Sequence, residues 1–213
     1  MDSDTDRDKI CCIILNYNDA ETAAGLAEEL KESRLIDDIL LVDNCSTDDS
    51  WEKFKKLELG WKKEEKEDKE DILPSLWLIR TDENGGYGSG NQAGIDYAME
   101  YLEPDYIIIA NPDVHFFDDC VKRLKEVLEA REDGAIASAM VTDPEGRELF
   151  SYWDLQPMWK DLLDTAPLAR RMFAPVLKTP LLELPEGGDG NTRIVGALPG
   201  SFFYDKDRLL YTG

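Results

Sequence analysis

The residues best suited to chemistry stand where short apolar runs end. Asn111-Pro112-Asp113 follows Tyr106–Ala110, whose length and composition predict a strand buried on both faces. Pro112 cannot donate to a β-ladder and restricts the residue before it, so the strand is expected to end there. Asp113 could bind a divalent cation, and the cation could bind a diphosphate. Taken alone, the tripeptide is equally typical of a turn.

Two more predicted strands, Ile10–Leu15 and Ile39–Val42, also end in polar side chains. The residues that follow them are Asn16 and Asn18 in the first case and Asp43, Asn44 and Ser46 in the second. In an open parallel sheet, ligands bind outside the carboxyl ends of the strands. We therefore expect these side chains to lie near Asp113.

A glycine-rich segment follows a third predicted strand, Leu76–Ile79. It spans Gly85–Asn91 and has four glycines in six positions, which we interpret as a loop whose backbone approaches a ligand or a neighbouring strand closely. A helix is expected from Asn91 to Leu102. The glycine spacing is not G-x-G-x-x-G and does not follow the first strand, so we reject a nicotinamide or flavin role.

Apolar periodicity predicts the elements that would position these residues. Helices are expected from Asn18 or Asp19 to about Lys31, from about Asp48–Ser50 onward, and over Phe117–Arg131. Further strands are expected at Ala135–Val141 and within Arg193–Tyr204. Another strand is expected at Glu148–Tyr152, after a turn at Asp143–Gly146. The alternation of strands and helices predicts an α/β fold. We expect a mostly parallel sheet flanked by helices, with a small antiparallel extension.

Composition narrows the classes of partner. The 213 residues carry a formal net charge of −22, which argues against non-specific binding to nucleic acid or to anionic lipid. No apolar stretch reaches the roughly 20 residues that span a bilayer, and the four cysteines lack metal-ligand spacing. We therefore expect a cytoplasmic protein without a transmembrane segment, which leaves peripheral association with a membrane open.

The order of the segments resembles that of inverting family 2 glycosyltransferases of the GT-A fold, particularly the rhamnosyltransferase-like branch. The matching segments are Leu15–Asn18, Val42–Asp48, Asn84–Gly94, Asn111–Val114, and Gly196–Phe203 with Arg208. They are collinear and cover nearly all of the chain. The resemblance implies a polar tail at 1–9 and a single GT-A domain at 10–213, with a nucleotide-binding half at 10–115 and an acceptor-side half at 116–213.

The resemblance also implies roles for single residues. Asp43 would contact the nucleotide base, and Asp113 would bind Mg²⁺ or Mn²⁺ as the metal-binding acid of a D-x-D-like motif. Asn111 stands where many relatives have the first aspartate, so one charge is missing while contact with the ribose is retained. The implied nucleotide-sugar-binding residues are Asn16, Asn18, Asp43, Asn44, Ser46, Asn84, Gly85, Gly88, Asn91 and Asn111.

The implied reaction is a metal-assisted, inverting transfer of a sugar from a dTDP- or UDP-linked donor, such as dTDP-rhamnose, to a saccharide or lipid-linked acceptor. A carboxylate must take the proton of the acceptor hydroxyl. The Glu-Asp-x-Asp-like segment that supplies it in such enzymes does not occur before Gly213, and Asp205 and Asp207 are poor substitutes. We therefore expect the base beyond Gly213 and donor binding, rather than turnover, from this chain.

Other functions stay open. A non-catalytic nucleotide-sugar-binding or interaction domain would show the same segments without the base. A nucleotidyltransferase would share the sheet, but the glycine-rich basic loop expected after its first strand is replaced here by Asn16–Asp19. His115, the sole histidine, could be a metal ligand or a base, although a histidine beside two phenylalanines is more often structural.

Overall fold

The computed structural model of the chain describes residues 7–67, 73–132, 134–143, 145–147 and 202–205. The chain divides into two compact units, Met1–Ala139 with Gly200–Gly213, and Met140–Pro199. In the second unit, the N–H of Asp143 donates to the carbonyl of Arg147 at 2.9 Å, which closes the predicted turn. The predicted strand at 148–152 lies outside the described residues. The expected single domain with halves that meet after residue 115 stays a prediction.

Among the described residues, six strands form one sheet in the first unit. They are β1 (Ile10–Asn16), β2 (Asp38–Asp43), β3 (Ser75–Arg80), β4 (Tyr106–Ala110), β5 (Ile136–Ala137) and β6 (Phe202–Asp205). Their order across the sheet is β3-β2-β1-β4-β6-β5. The first four are parallel, and β6 runs antiparallel to both β4 and β5. The predicted α/β class, with a mostly parallel sheet and a small antiparallel extension, is confirmed.

Helices cover the sheet. They are α1 (Ala20–Leu30), α2 (Ser50–Glu67), α3 (Gly86–Tyr97) and α4 (Asp118–Glu129), and α3 continues into a π-helical segment at Ala98–Leu102. Every residue of β1, β2 and β4 is buried, which explains why these strands are apolar without alternation. None of the helices in the described ranges has the length and hydrophobicity that crossing a bilayer requires.

Alternate residues of β1 enter separate cores on the two faces of the sheet. Ile14 packs in one cluster with Leu26 of α1 and Phe54 of α2. Ile13 belongs to the other cluster, with Leu102 after α3. Right-handed crossovers explain the division. The chain advances in one direction through β1, β2 and β3, then returns across β1 to reach β4, so α3 lies on the face opposite α1 and α2.

Helix α3 begins five residues earlier than expected, at Gly86 rather than Asn91. The interpretation of the glycine-rich stretch as a loop is therefore wrong from Gly86 onward. Glycine costs about 1 kcal/mol in a helix interior relative to alanine, but here tertiary packing requires it. A Cβ at Gly90 would lie 2.5 Å from Cδ1 of Leu15, so a larger residue there would require the Leu15 side chain to move.

The antiparallel strands are shorter than expected. β5 comprises only Ile136 and Ala137 instead of Ala135–Val141. Ile136 is 45% exposed, and among the described strands β5 has a neighbour on one side only. β6 begins at Phe202, and the earlier part of its predicted range, residues 193–201, lies outside the described residues.

The close contact between α3 and the sheet can be tested at Gly94. Gly94→Ala is expected to lower the free energy of unfolding by about 1–3 kcal/mol because the core is already filled. The new Cβ would lie 2.7 Å from Cγ2 of Ile13 and 3.0 Å from Cγ2 of Val42. Urea denaturation measures the change.

Gly25→Ala is the matched control, because Gly25 lies inside α1 with nothing within 4 Å of its Cβ position. We expect it to be neutral or to stabilise the protein by up to about 1 kcal/mol. A similar effect of the two substitutions would contradict the tight packing of α3.

Candidate active site

The carboxyl ends of β1, β2 and β4 lie side by side at one edge of the sheet. β1 pairs with β2 so that Asn16 is opposite Asp43, and with β4 so that Ile14 is opposite Ala110. The strand order extends from β1 to β2 and β3 on one side and to β4 on the other, which makes a topological switch point. The ends of β2 and β4 are therefore two strand spacings, roughly 10 Å, apart. Asp43 is the last residue of β2 and Asp113 follows β4 at the same edge, as the predicted site requires.

Asn16 joins the end of β1 to the loop after β2. Its buried side-chain nitrogen Nδ2 donates to Oδ1 of Asp43 and to Oγ of Ser46, each at 3.1 Å. Its Oδ1 accepts a hydrogen bond from the N–H of Asp19 at 3.1 Å. The amide of Asn16 is thus used within the protein, where it fixes the first turn of α1 against β2. Contact with a ligand stays a prediction.

Asn18 makes a second connection between these loops. Its φ of 57° lies in the left-handed region, which asparagine tolerates better than most residues. Its Oδ1 accepts from the N–H groups of Thr47 at 2.8 Å and Asp48 at 3.3 Å, and its own N–H donates to Oγ of Ser46 at 2.9 Å. The loops after β1 and β2 are therefore held together without a ligand.

Asp43 is a fully buried acid with partners inside the protein. Its Oδ1 accepts from Asn16, and its Oδ2 lies 3.2 Å from Nε of Arg80 at the end of β3. The Nη2 of Arg80 also donates to the carbonyl of Ser46 at 2.8 Å. Arg80 therefore balances the charge of Asp43, which a buried carboxylate requires. The predicted contact of Asp43 with a base stays a prediction.

Sequence reasoning missed Arg80. The available signal was its position, because it is the last residue of β3 and stands opposite Asp43 in the parallel register. A cation that ends a strand next to an acid that ends the neighbouring strand indicates an ion pair across the sheet edge.

Asn44 and Asn84 fix the start of α3. Nδ2 of Asn44 donates to Oδ1 of Asn84 at 2.9 Å and to the carbonyl of Gly86 at 3.2 Å. The N–H of Gly86 donates to Oδ1 of Asn84 at 2.9 Å. Gly85 has no room for a side chain, since a Cβ there would lie 2.5 Å from Oγ of Ser89. The partially positive N-terminus of α3 is thus attached to the end of β2.

Tyr87 connects the first turn of α3 to the end of β4. Its hydroxyl donates to Oδ1 of Asn111 at 2.9 Å. Burial raises the pKa of Tyr87, the neighbouring Asn91 lowers it, and the negative charge of Asp113 raises it. Asp113 therefore lies within electrostatic range of the Tyr87 hydroxyl. Sequence reasoning did not single out Tyr87, although it is the sole aromatic residue of the glycine-rich segment.

Gly88 and Asn91, which are also predicted to bind the nucleotide sugar, differ in burial. Asn91 is 7% exposed, and neither polar atom of its side chain makes a hydrogen bond of normal geometry with the part of the chain that the structure describes. Gly88 is exposed, and nothing lies within 4 Å of the position of a Cβ. Packing within the described residues does not require glycine at 88, and contact with a ligand stays a prediction.

Asp113 is the predicted metal ligand, and it is exposed. Within the described ranges, no three His, Cys, Asp or Glu side chains are grouped to hold a metal by themselves. Mg²⁺ in nucleotide sites uses one or two carboxylates, with water and substrate phosphates as the other ligands. An exposed Asp113 two residues after Asn111 fits that arrangement. His115 instead places its Nδ1 2.6 Å from Oε2 of Glu29 in α1.

The ion pair between Arg80 and Asp43 generates a stability prediction. Arg80→Met is expected to lower the free energy of unfolding by about 1–3 kcal/mol, because it leaves a buried carboxylate without its cation. In that background, Asp43→Asn should recover part of the loss, since a neutral amide needs no counter-charge. A double-mutant cycle by chemical denaturation measures the coupling, and additive effects would contradict it.

The fold is similar to solved structures of glycosyltransferases. The mannosyltransferase PcManGT from Pyrobaculum calidifontis, in complex with GDP-Man and Mn²⁺, has a TM-score of 0.50 and 19% identity over 66% of this chain and 37% of its own. TarS residues 1–349 from S. aureus, in complex with UDP, has a TM-score of 0.49 and 16% identity over 70% of this chain and 40% of its own. At this identity the similarity to PcManGT shows the fold alone. The chain spans about two fifths of the length of both proteins.

The family is shown by the sequence. No curated protein sequence matches the chain. The sequence profile described as "Glycosyl transferase family 2" matches residues 11–173, which is more than half of the chain and includes every residue of the site described above. The chain therefore belongs to glycosyl transferase family 2 and has a GT-A fold.

Proposed function

We propose that the protein is a nucleotide-sugar-dependent glycosyltransferase whose donor binds across the carboxyl ends of β1, β2 and β4. The observation that carries the proposal is the position of Asn111 and Asp113, which follow β4 at the same sheet edge as the hydrogen-bonded loops after β1 and β2. The base and ribose would lie towards β2. The diphosphate would lie towards Asp113 and the N-terminus of α3.

A divalent cation, Mg²⁺ or Mn²⁺, would be held by Asp113 jointly with the donor diphosphate. Bound there, it would stabilise the negative charge of the leaving nucleotide diphosphate. The exposed carboxylate of Asp113 supplies the protein ligand, and the N–H groups of the first turn of α3 add partial positive charge. This local arrangement can bind a diphosphate although the whole chain carries a net charge of −22.

The resemblance of the segments to the rhamnosyltransferase-like branch supports a proposal for the donor, the acceptor and the stereochemistry of transfer. We propose a dTDP- or UDP-linked donor, such as dTDP-rhamnose, and a saccharide or lipid-linked acceptor, with transfer by inversion. We also propose that the enzyme acts in the cytoplasm and associates at most peripherally with a membrane.

Inversion needs a carboxylate that takes the proton of the acceptor hydroxyl. Asp205 is badly placed for this role. β6 is antiparallel to β4, and Asp205 stands opposite Tyr106, at the other end of β4 from Asn111. Asn111 is five positions beyond Tyr106, which is roughly 16–17 Å along a strand. We therefore propose that another segment supplies the base; Asp207 lies outside the described residues.

Metal-linked nucleotide binding tests the proposal. We expect Mn²⁺ to raise the affinity for UDP or dTDP, and Asp113→Asn to remove most of that increase, roughly 10- to 100-fold for a lost charge-assisted contact. Isothermal titration calorimetry with and without Mn²⁺ measures the linkage. Asp96→Asn is the matched control, because Asp96 is an exposed acid near the opposite end of α3, about 15 Å from its N-terminus.

Two results would contradict the donor site. If the wild-type protein did not bind UDP or dTDP in the presence of Mn²⁺, the proposed donor site would be wrong. Retention of the Mn²⁺ dependence by Asp113→Asn, or its loss in Asp96→Asn, would place the cation elsewhere.

Turnover separates the enzyme from a non-catalytic nucleotide-sugar-binding domain. In a chain that includes the segment supplying the base, a glycosyltransferase is expected to release the nucleotide diphosphate slowly from its sugar nucleotide with water as acceptor, and Asp113→Asn should abolish that release. Coupled detection of UDP or dTDP across a panel of sugar nucleotides measures it. Metal-dependent binding without release from any donor would favour the non-catalytic domain.

A further inference from the structure

Asp113 lies in a turn whose two ends are held in different ways. On one side, β4 ends at Ala110 inside the sheet. On the other side, the N–H of Val114 donates to the carbonyl of Asn111 at 3.3 Å, which closes a β-turn with Pro112 and Asp113 in its two central positions. The position of the Asp113 backbone therefore depends on how Val114 and the residues after it are held.

The segment after the turn is attached to the protein by apolar and polar contacts. Val114 and Phe116 are partly buried and pack on the core cluster that contains Leu26 of α1. The side chain of His115, between them, is 74% exposed, and its Nδ1 lies 2.6 Å from Oε2 of Glu29 in the last turn of α1. Apolar packing is non-directional, whereas a hydrogen bond requires a narrow range of distance and angle. The contact between His115 and Glu29 therefore restricts the segment more specifically than packing does.

The chemistry of the two groups determines the direction of this hydrogen bond. An ionised carboxylate can only accept, so Nδ1 of His115 carries the hydrogen and donates it to Oε2 of Glu29. Both the neutral imidazole and the imidazolium can carry a hydrogen at Nδ1, so the bond forms in either charge state. The other oxygen of Glu29, Oε1, is buried and has no hydrogen-bond partner within the described residues. His115 is thus the donor that the structure shows for this carboxylate.

The arrangement does not support His115 as a cation ligand itself. Asp113, His115 and Glu29 are not grouped closely enough to share an ion, since the described ranges contain no such cluster of three His, Cys, Asp or Glu side chains. An exposed ion pair also contributes little to the stability of a whole fold. The contact instead holds a segment that begins one residue after the predicted cation ligand.

We infer that His115 and Glu29 are positioning residues for the cation: their hydrogen bond holds the segment after the turn, so that the carboxylate of Asp113 is in place before the cation and the diphosphate bind. The inference rests on the proposed function and deepens it, because it names two residues away from the donor that set the metal dependence of binding. A group that is already held loses less conformational entropy on binding. Neither side chain needs to contact the donor.

His115→Ala tests the inference because it removes the hydrogen-bond donor. We expect the gain in affinity for UDP or dTDP that Mn²⁺ produces to fall about two- to fivefold, the scale of one exposed ion pair, because binding must then order the turn. The affinity for the nucleotide without Mn²⁺ should not change. Isothermal titration calorimetry with and without Mn²⁺ measures both quantities.

Further variants separate the hydrogen bond from other effects. His115→Asn is the conservative variant, because the side-chain nitrogen of asparagine can replace Nδ1 as the donor, and it should retain the wild-type Mn²⁺ dependence. Glu29→Ala should act as His115→Ala does, and the double variant should lose no more than either single one. Glu28→Ala is the matched control, because it removes an exposed acid one residue earlier in α1. It should leave binding unchanged.

Three results would overturn the inference. The first is an unchanged Mn²⁺ dependence in His115→Ala and Glu29→Ala. The second is an equal loss in His115→Asn, which would show that a donor at this position is not sufficient. The third is an equal loss in Glu28→Ala, which would reflect net charge alone.

A ligand-free measurement tests the positioning itself. The backbone amides of Asp113 and Val114 should change in His115→Ala from rigid order parameters of about 0.85 towards flexible values below about 0.6, while His115→Asn and Glu28→Ala match the wild type. Unaltered order parameters in His115→Ala would overturn the inference even if nucleotide binding were intact. If the wild-type protein bound no nucleotide, the proposed function and the role of the pair in cation binding would both be wrong, whereas the order parameters would still show whether the pair fixes the turn.

Discussion

The candidate site depends on the parallel pairing of β1 with a neighbour on each side. This pairing places the residue after β4 and the last residue of β2 at one edge of the sheet, with Asn16 between them. A shift of one residue in either register would turn every side chain of the shifted strand to the opposite face. Ile13 and Ile14 belong to separate cores, so such a shift would disrupt both cores at once. Burial of β1 on both faces therefore determines the geometry of the polar residues that follow.

Polar groups at this edge mostly form hydrogen bonds or ion pairs with one another. Asn16, Asn18 and Ser46 hold two loops together, and Arg80 balances the buried charge of Asp43. Asp113, by contrast, is exposed. An exposed carboxylate next to loops that are already held by hydrogen bonds is suited to binding a metal ion with a diphosphate, since little structure must be ordered when the ligand binds.

The fold was largely predictable because three strands are continuous apolar runs. β1, β2 and β4 begin and end within one residue of their expected bounds, and buried parallel strands have no other requirement than apolar side chains. The start of α3 was not predictable from local preference. Its glycines disfavour a helix on their own, and the contacts of Gly90 and Gly94 with β1 and β2 decide the outcome. The candidate site residues were chosen by their position after strands, and their role in ligand binding stays a prediction; their hydrogen-bond partners were not predicted. Arg80 and Tyr87 bind residues 37 and 24 positions away, a relation that only the fold reveals.

Paramagnetic broadening by Mn²⁺ tests the central claim most directly, because it locates the cation without relying on a substitution. In the presence of UDP or dTDP and a small amount of Mn²⁺, the amide resonances of Asn111, Asp113 and Tyr87 should broaden most. Those of Tyr106 and Asp205, at the opposite end of β4, should remain. Broadening centred on any other acidic surface, with residues 111–113 unaffected, would contradict the account.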